Sequence, residues 1–135
     1  MALNKPYADI PGTFVFDADM SRKGYWLNQF CMSLMNADNR EHFKADETTY
    51  LDNWTMTSEQ KQAVLARDYN GMLALGGNIY FLAKIFSSEG KSFVYAAARM
   101  TGLSEDAYKA MMDAGGRTPD GNRYTTGSNL DKEHR

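Results

Sequence analysis

The chain has 135 residues, of which 43% are hydrophobic and 13% are aromatic. This length fits one domain that buries a core without disulfide bonds, and this composition excludes the disordered class. The 15 basic and 17 acidic residues are interspersed and give a net charge of -2. No basic stripe is present for a phosphate backbone, so the sequence predicts no nucleic-acid partner.

The sequence also indicates the cellular location of the protein. The longest apolar stretch, residues 79–86, contains Lys84 and is too short to cross a bilayer. The first ten residues contain no apolar core of a signal peptide. The single cysteine, Cys31, excludes an intrachain disulfide bond and lies in an apolar run that is typical of a buried thiol. We therefore expect a cytoplasmic protein that does not bind membranes.

Residues 1–20 are predicted to form an extended N-terminal arm, because proline at positions 6 and 11 favours extended backbone before it. The arm has more apolar surface than a free tail would carry, so we expect it to lie against the helices of this chain or against a partner. We assign three of its residues to a candidate partner interface: Ile10, Phe14 and Phe16.

Residues 21–117 are predicted to form an all-α domain, since no run shows the period-two alternation of a strand. The first helix is predicted over residues 21–36 with Ser21 as its N-cap. Its apolar stripe is wider than a surface helix needs, so other elements should contact it on more than one side. Trp26 and Phe30 of this stripe are added to the candidate partner interface.

The later helices begin at recognisable capping residues. Thr57 and Gln60 form a capping box for a helix over residues 58–75, and two glycines end that helix. The other predicted N-caps are Asn78, Ser92 and Ser104, for helices over residues 79–86, 93–100 and 105–114. The last helix is expected to turn four side chains inward: Ala107, Tyr108, Met111 and Met112. Residues 118–135 are polar and are predicted to form a flexible tail.

The sequence offers few groups for catalysis. The two histidines, His42 and His134, are interpreted as surface residues, so we expect no metal site and no cofactor bound by this chain. Cys31 has no evident histidine partner, and no nucleophile elbow or phosphate-binding glycine motif occurs. The acidic pairs stand at predicted helix N-termini, where they favour the helix dipole: Asp46 with Glu47, and Glu105 with Asp106. No catalytic residue is assigned.

One loop allows two interpretations. In the 90–93 loop (Gly90, Lys91, Ser92 and Phe93), a cation, a hydroxyl and an aromatic ring stand at a glycine break. Ser92 is either a simple helix cap followed by a core phenylalanine, or part of a loop edge that presents Phe93 to a ligand or partner. The residues alone leave both interpretations open.

Eight short segments carry a family resemblance. They are DIPGT (9–13), KGYWLNQF (23–30), MSLM (32–35), RDYN (67–70), GGNIYFL (76–82), GKSF (90–93), MTG (100–102) and GGR (115–117). In this order, they resemble the α (small) subunit of protocatechuate 4,5-dioxygenase, an extradiol ring-cleavage enzyme. Each segment alone is weak, and the set is specific.

The resemblance implies an all-helical subunit that interlocks with a larger β subunit in an α2β2 enzyme of aromatic catabolism. In that family the β subunit holds Fe(II) through two histidines and one glutamate, and it cleaves a catechol ring with O2. The α subunit covers the mouth of the active site. The 90–93 loop matches the family segment that approaches the substrate, which implies that Phe93, then Ser92 and Lys91, lie near it.

Two alternatives remain at the level of sequence. The chain could be a stand-alone helical interaction module with the same fold, since the wide apolar stripe and the arm would suit that role equally well. It could also serve a paralogous dioxygenase that acts on gallate or another catechol.

Overall fold

A computed structural model describes residues 5–118 of the chain. In this range the fold is all-α, as the sequence predicted: nine α-helices follow a short 3-10 turn at Pro6–Asp9, and no strand occurs. The helices are α1 Ala18–Lys23, α2 Tyr25–Ser33, α3 Ala37–Ala45, α4 Glu47–Leu51, α5 Ser58–Leu65, α6 Tyr69–Ala74, α7 Ile79–Ser88, α8 Phe93–Thr101 and α9 Glu105–Asp113. None of the helices in residues 5–118 is long and apolar enough to span a bilayer.

Four of the five predicted N-caps are confirmed: Thr57, Asn78, Ser92 and Ser104. Thr57 Oγ1 accepts a hydrogen bond from the Gln60 amide at 3.1 Å, and Gln60 Oε1 accepts one from the Thr57 amide at 3.0 Å. The side chains of Asn78, Ser92 and Ser104 each accept from an amide in the first turn of α7, α8 and α9. Each cap satisfies a backbone N–H that has no partner within its helix. The predicted tail, apart from Thr118, lies outside the described residues.

The prediction of one continuous helix over residues 21–36 is wrong. The chain forms two helices, α1 and α2, which meet at Gly24, and Asp17 rather than Ser21 caps α1 by accepting from the Met20 amide at 2.9 Å. The physical reason lies in a distant segment: a Cβ atom at Gly24 would overlap the backbone carbonyl of Gly76. This close approach of two backbones fixes the angle between α1 and α2. α1 begins at Ala18, after its Asp17 cap, and so its start lies within the segment assigned to the arm.

The predicted helix over residues 58–75 is also interrupted, at Arg67. This residue has φ 53° and is the only non-glycine residue with positive φ in residues 5–118. The Arg67 amide donates to the Val64 carbonyl at 3.0 Å, and the Asp68 amide donates to the Ala63 carbonyl at 2.9 Å. These two bonds form a Schellman motif that ends α5. Asp68 then caps α6.

The core lies between α2 and the helices packed around it. Its largest fully buried side chains are Tyr69, Phe30, Phe86, Leu27, Leu34, Leu51, Met72, Leu82, Ile85, Val64 and Cys31. One buried polar residue, Asn28, joins α2 to the segment before α7. Its Nδ2 donates to the Gly76 carbonyl at 3.0 Å, and its Oδ1 accepts from the Asn78 amide at 2.9 Å. Asn28 therefore satisfies backbone groups that the Gly24–Gly76 contact would otherwise leave unpaired.

The inward face of α9 is narrower than predicted. Tyr108 and Met111 are half-buried, whereas Ala107 and Met112 are exposed, so the expected inward position of these two is wrong. The reason is that α9 packs chiefly against α8. A helix with one neighbour buries a single narrow stripe of side chains.

Ion pairs attach the start of the arm to α1. Lys5 Nζ lies 2.9 Å from Asp17 Oδ2 and 2.6 Å from Asp19 Oδ2, and the Tyr7 hydroxyl donates to Asp17 Oδ2 at 2.8 Å. The hydrogen bond from Lys5, followed by those from the Met20 amide and Tyr7, holds the pKa of Asp17 well below its usual range. The pKa of Asp19 is also lowered, first of all by Lys5.

We expect the N-terminal arm to detach from α1 at acidic pH. A carboxylate whose pKa is lowered in the folded state stabilises that state above its unfolded pKa of about 3.9, and this contribution is lost as the pH falls further. Limited proteolysis between pH 6 and pH 2 should show cleavage near Tyr7 and Ile10 before the helices unfold. The substitution Asp17→Asn should make the same sites accessible at neutral pH, and equal protection in both proteins at every pH would contradict this role.

Candidate functional site

The 90–93 loop connects α7 to α8 through a tight turn. Gly90 has φ 74°, a left-handed conformation that glycine adopts without strain, and the Lys91 amide donates back to the Phe86 carbonyl at 2.9 Å. The Ser92 side chain then accepts from the Tyr95 amide at 3.4 Å and begins α8. Ser92 is therefore a helix cap, as one of the two interpretations required.

The helix-cap interpretation also expected Phe93 to be a core residue, and this part is wrong. Its side chain is 56% exposed, although it is the first residue of α8. The ring packs against Phe86 in a T-shaped contact, with centroids 5.1 Å apart and planes at 80°. Phe86 is fully buried. Phe93 is thus an aromatic side chain fixed on one side and open to solvent on the other.

Cations surround the next aromatic ring of α8. Lys91 Nζ lies 5.4 Å from the centroid of Tyr95, and Arg99 Cζ lies 6.0 Å from the same centroid. These distances are within the range of cation–π contacts. The 90–93 loop therefore exposes the ring of Phe93, while the charge of Lys91 lies over the ring of Tyr95, in the first turn of α8.

The predicted partner interface divides into surface and core. Ile10, Phe16 and Trp26 are exposed, with Trp26 at 42%, and Phe14 is half-buried. Phe30 has 0% exposure, so its assignment to a surface was wrong. It faces the core because it packs edge-on against Phe43 at 5.1 Å between centroids.

The arm lies along the helices and forms one wall of an open groove of about 530 Å³. The opposite side of the groove is made by the α6–α7 turn, α8 and α9, through residues that include Tyr80, Met100 and Tyr108. Phe14 and Phe16 both line this groove. The arm therefore rests against helices of this chain and also leaves apolar side chains uncovered.

The described residues assemble no metal site: within 5–118, no three side chains of His, Cys, Asp or Glu converge. His42 is exposed on α3, and His134 lies outside the described residues. Burial raises the pKa of the Cys31 thiol, which opposes formation of a nucleophilic thiolate. The first residue of each acidic pair is an N-cap or stands in a first turn, as predicted.

Two residues next to the loop, Arg67 and Glu89, were not predicted to belong to the site. Arg67 and Glu89 form a bidentate ion pair, with Nε–Oε1 and Nη2–Oε2 distances of 3.1 and 3.0 Å, and Glu89 immediately precedes Gly90. The predicted unbroken helix over residues 58–75 placed Arg67 on an ordinary helix face and so hid it. The sequence signal that could have indicated Arg67 is the RDYN segment, which is part of the family resemblance.

These features define a class: a small all-α protein that presents aromatic side chains on a helix, an arm and a loop, as subunits that pack against another chain do. The family model of the LigA subunit of the aromatic-ring-opening dioxygenase LigAB matches residues 27–113. The chain belongs to this family, and the predicted resemblance is confirmed. It is a subunit of an aromatic-ring-opening dioxygenase, and the family implies a LigB partner subunit. The matched range includes the 90–93 loop and excludes the arm.

Proposed function

We propose that the chain is a non-catalytic subunit that covers the Fe(II) site of a larger LigB-type partner during extradiol cleavage of protocatechuate or a related catechol. The observation that carries the proposal is the half-exposed ring of Phe93, which packs against buried Phe86 in a loop that lies within the family match. The partner's iron would supply the O2 chemistry. This chain would supply the wall that closes the site.

Each residue of the loop has a separate part in this proposal. The open face of Phe93 would pack on the catechol ring and exclude water, which protects a reactive intermediate from hydrolysis. Lys91 would attract the substrate carboxylate through its charge. Ser92, whose side chain caps α8, would hold both neighbours in place. A complex of two copies of each subunit in the cytoplasm is part of the same proposal.

Co-expression with a candidate partner chain tests the central claim. We expect the two chains to co-purify, the pair to contain iron and cleave protocatechuate, and this chain alone to be inactive. Full activity of the partner without this chain would exclude a covering role. Failure to co-purify would instead favour a stand-alone helical module. Light scattering of the purified pair would test the α2β2 stoichiometry.

Phe93→Ala is expected to alter substrate selection without loss of iron. Removing a ring that packs on the substrate should raise KM for protocatechuate by about tenfold, the loss that about 1.4 kcal/mol of binding energy represents. The measurement is kcat and KM of the reconstituted pair against protocatechuate, gallate and unsubstituted catechol. This panel also identifies the preferred catechol.

Met112→Ala is the matched control, because Met112 is a similarly exposed apolar side chain on α9. It should leave all three substrates unaffected. Iron content and thermal unfolding of both variants separate a change in the site from a loss of structure. Unchanged kinetics of Phe93→Ala across the panel would remove the loop from the substrate site.

A further inference from the structure

The guanidinium of Arg67 uses every donor that it has. Arginine offers five N–H groups, and five hydrogen bonds leave this side chain: two to Glu47, two to Glu89 and one to the Val64 carbonyl. The side chain is only 13% exposed, and it lies 5.5 Å from the ring centroid of Phe43. Burial acts to lower the pKa of Arg67, but the hydrogen bonds with Glu47 and Glu89 outweigh it and raise the pKa, so the charge is retained.

The backbone of Arg67 is in a position that usually holds glycine. It is the left-handed residue that follows the C-cap of a Schellman motif, where a side chain with a Cβ atom costs about 1 kcal/mol. Glycine at this place would remove that cost and would also remove the five hydrogen bonds. The presence of arginine therefore points to a role for the guanidinium rather than for the turn.

Arg67 is attached to both sides of the 90–93 loop. On the α7 side, its guanidinium binds Glu89, the residue before Gly90. On the α8 side, Arg99 Nε donates to the Arg67 carbonyl at 3.2 Å, and Arg99 Nη2 donates to the Ala66 carbonyl at 3.1 Å. The two helices that carry the loop are thus fixed to a single residue of the α5–α6 turn.

We propose that Arg67 is a positioning residue, which fixes the orientation of the 90–93 loop and hence sets the substrate selectivity that Phe93 expresses. The inference rests on the proposed function of that loop. Displacing a contact group by about 1 Å changes rates by up to about a hundredfold. A shift of α7 relative to α8 would displace Phe93, because Phe86 of α7 holds the ring while α8 carries its backbone.

Two substitutions test this role in the reconstituted pair. Arg67→Gly keeps the left-handed turn and removes the guanidinium, whereas Glu89→Gln keeps Arg67 and weakens only its bond to the loop. Both should change the ratio of kcat/KM for protocatechuate to kcat/KM for gallate by about tenfold. The change should have the same sign as the change that Phe93→Ala causes. Combined with Phe93→Ala, each should add less than about a further twofold, because displacing a ring that is absent has no effect.

The matched control is Glu47→Gln, which weakens an equal pair of bonds from the same guanidinium to α4, away from the loop. It should change stability as Glu89→Gln does and leave the selectivity ratio unchanged. If Phe93→Ala changes the ratio while Arg67→Gly and Glu89→Gln do not, the positioning role is wrong and the proposed function stands. A change additive with Phe93→Ala also overturns the positioning role. If Phe93→Ala itself has no effect, the loop's proposed function fails, and the positioning role fails with it.

Discussion

Replacing Gly24 with alanine is expected to destabilise the protein by about 3 kcal/mol or more, the upper end of the cost of overpacking. The backbone of Gly24, with φ -97° and ψ 12°, suits any residue, so no conformational strain contributes. The whole effect comes from the added Cβ atom, which would overlap the carbonyl of Gly76. That carbonyl cannot move aside easily, because it accepts the hydrogen bond from buried Asn28.

The measurement is urea unfolding followed by circular dichroism, with Gly71→Ala as the matched control. A Cβ atom at Gly71 would meet the carboxylate of Asp68, a side chain that can rotate away. Losing the Asp68 cap costs about 1 kcal/mol, and replacing glycine within a helix recovers a similar amount. Gly71→Ala should therefore unfold close to the natural protein. Equal unfolding midpoints for both variants would show that Gly24 does not need to be glycine.

The sequence predicted most features of the fold that depend on neighbouring residues, although it missed the Asp17 cap of α1. The caps at Thr57, Asn78, Ser92 and Ser104 were all predicted, because a capping side chain bonds an amide two or three residues away. The helical class followed from the spacing of apolar residues, which requires no knowledge of distant contacts. The same reasoning identified Ser92 as the helix cap that follows Gly90 and Lys91.

The features that the sequence did not predict depend on distant contacts. The break at Gly24 exists because Gly76 lies against it, and no local pattern distinguishes such a glycine from any other. The break at Arg67 occurs at a residue that rarely adopts positive φ, and Glu47 and Glu89, which bind its side chain, lie on α4 and at the end of α7. The part of Arg67 in the candidate site was hidden for the same reason.

Phe30 and Trp26 show the same limit within a single helix. The wide apolar stripe of α2 correctly indicated contacts on more than one side, but it did not indicate which side faces the core. The structure places Phe30 among Phe43 and Tyr50, and leaves Trp26 at 42% exposure beside Tyr25. From this difference in burial we expect Phe30 to contribute to stability and Trp26 to contribute to partner binding.

The substitutions Phe30→Ala and Trp26→Ala should therefore have opposite profiles. Phe30→Ala removes a fully buried ring and should lower the free energy of unfolding by about 3–5 kcal/mol. Trp26→Ala removes a half-exposed ring and should lower it by about 1 kcal/mol at most. If Trp26 is a central contact with the LigB-type partner, its loss should weaken binding by about 2 kcal/mol, or roughly 30-fold.

Calorimetry with the isolated partner measures binding, and chemical unfolding of this chain alone measures stability. Phe30→Leu is a second core variant, chosen because it should stay folded even if Phe30→Ala does not. It should lower the free energy of unfolding. At a temperature where this variant is folded, its affinity for the partner should be unchanged. An unfolding free energy that drops by several kcal/mol for Trp26→Ala would place Trp26 in the core instead. Full stability with unchanged partner affinity would remove Trp26 from the interface, and the exposed residues of the arm, Ile10 and Phe16, would then be the ones to replace next.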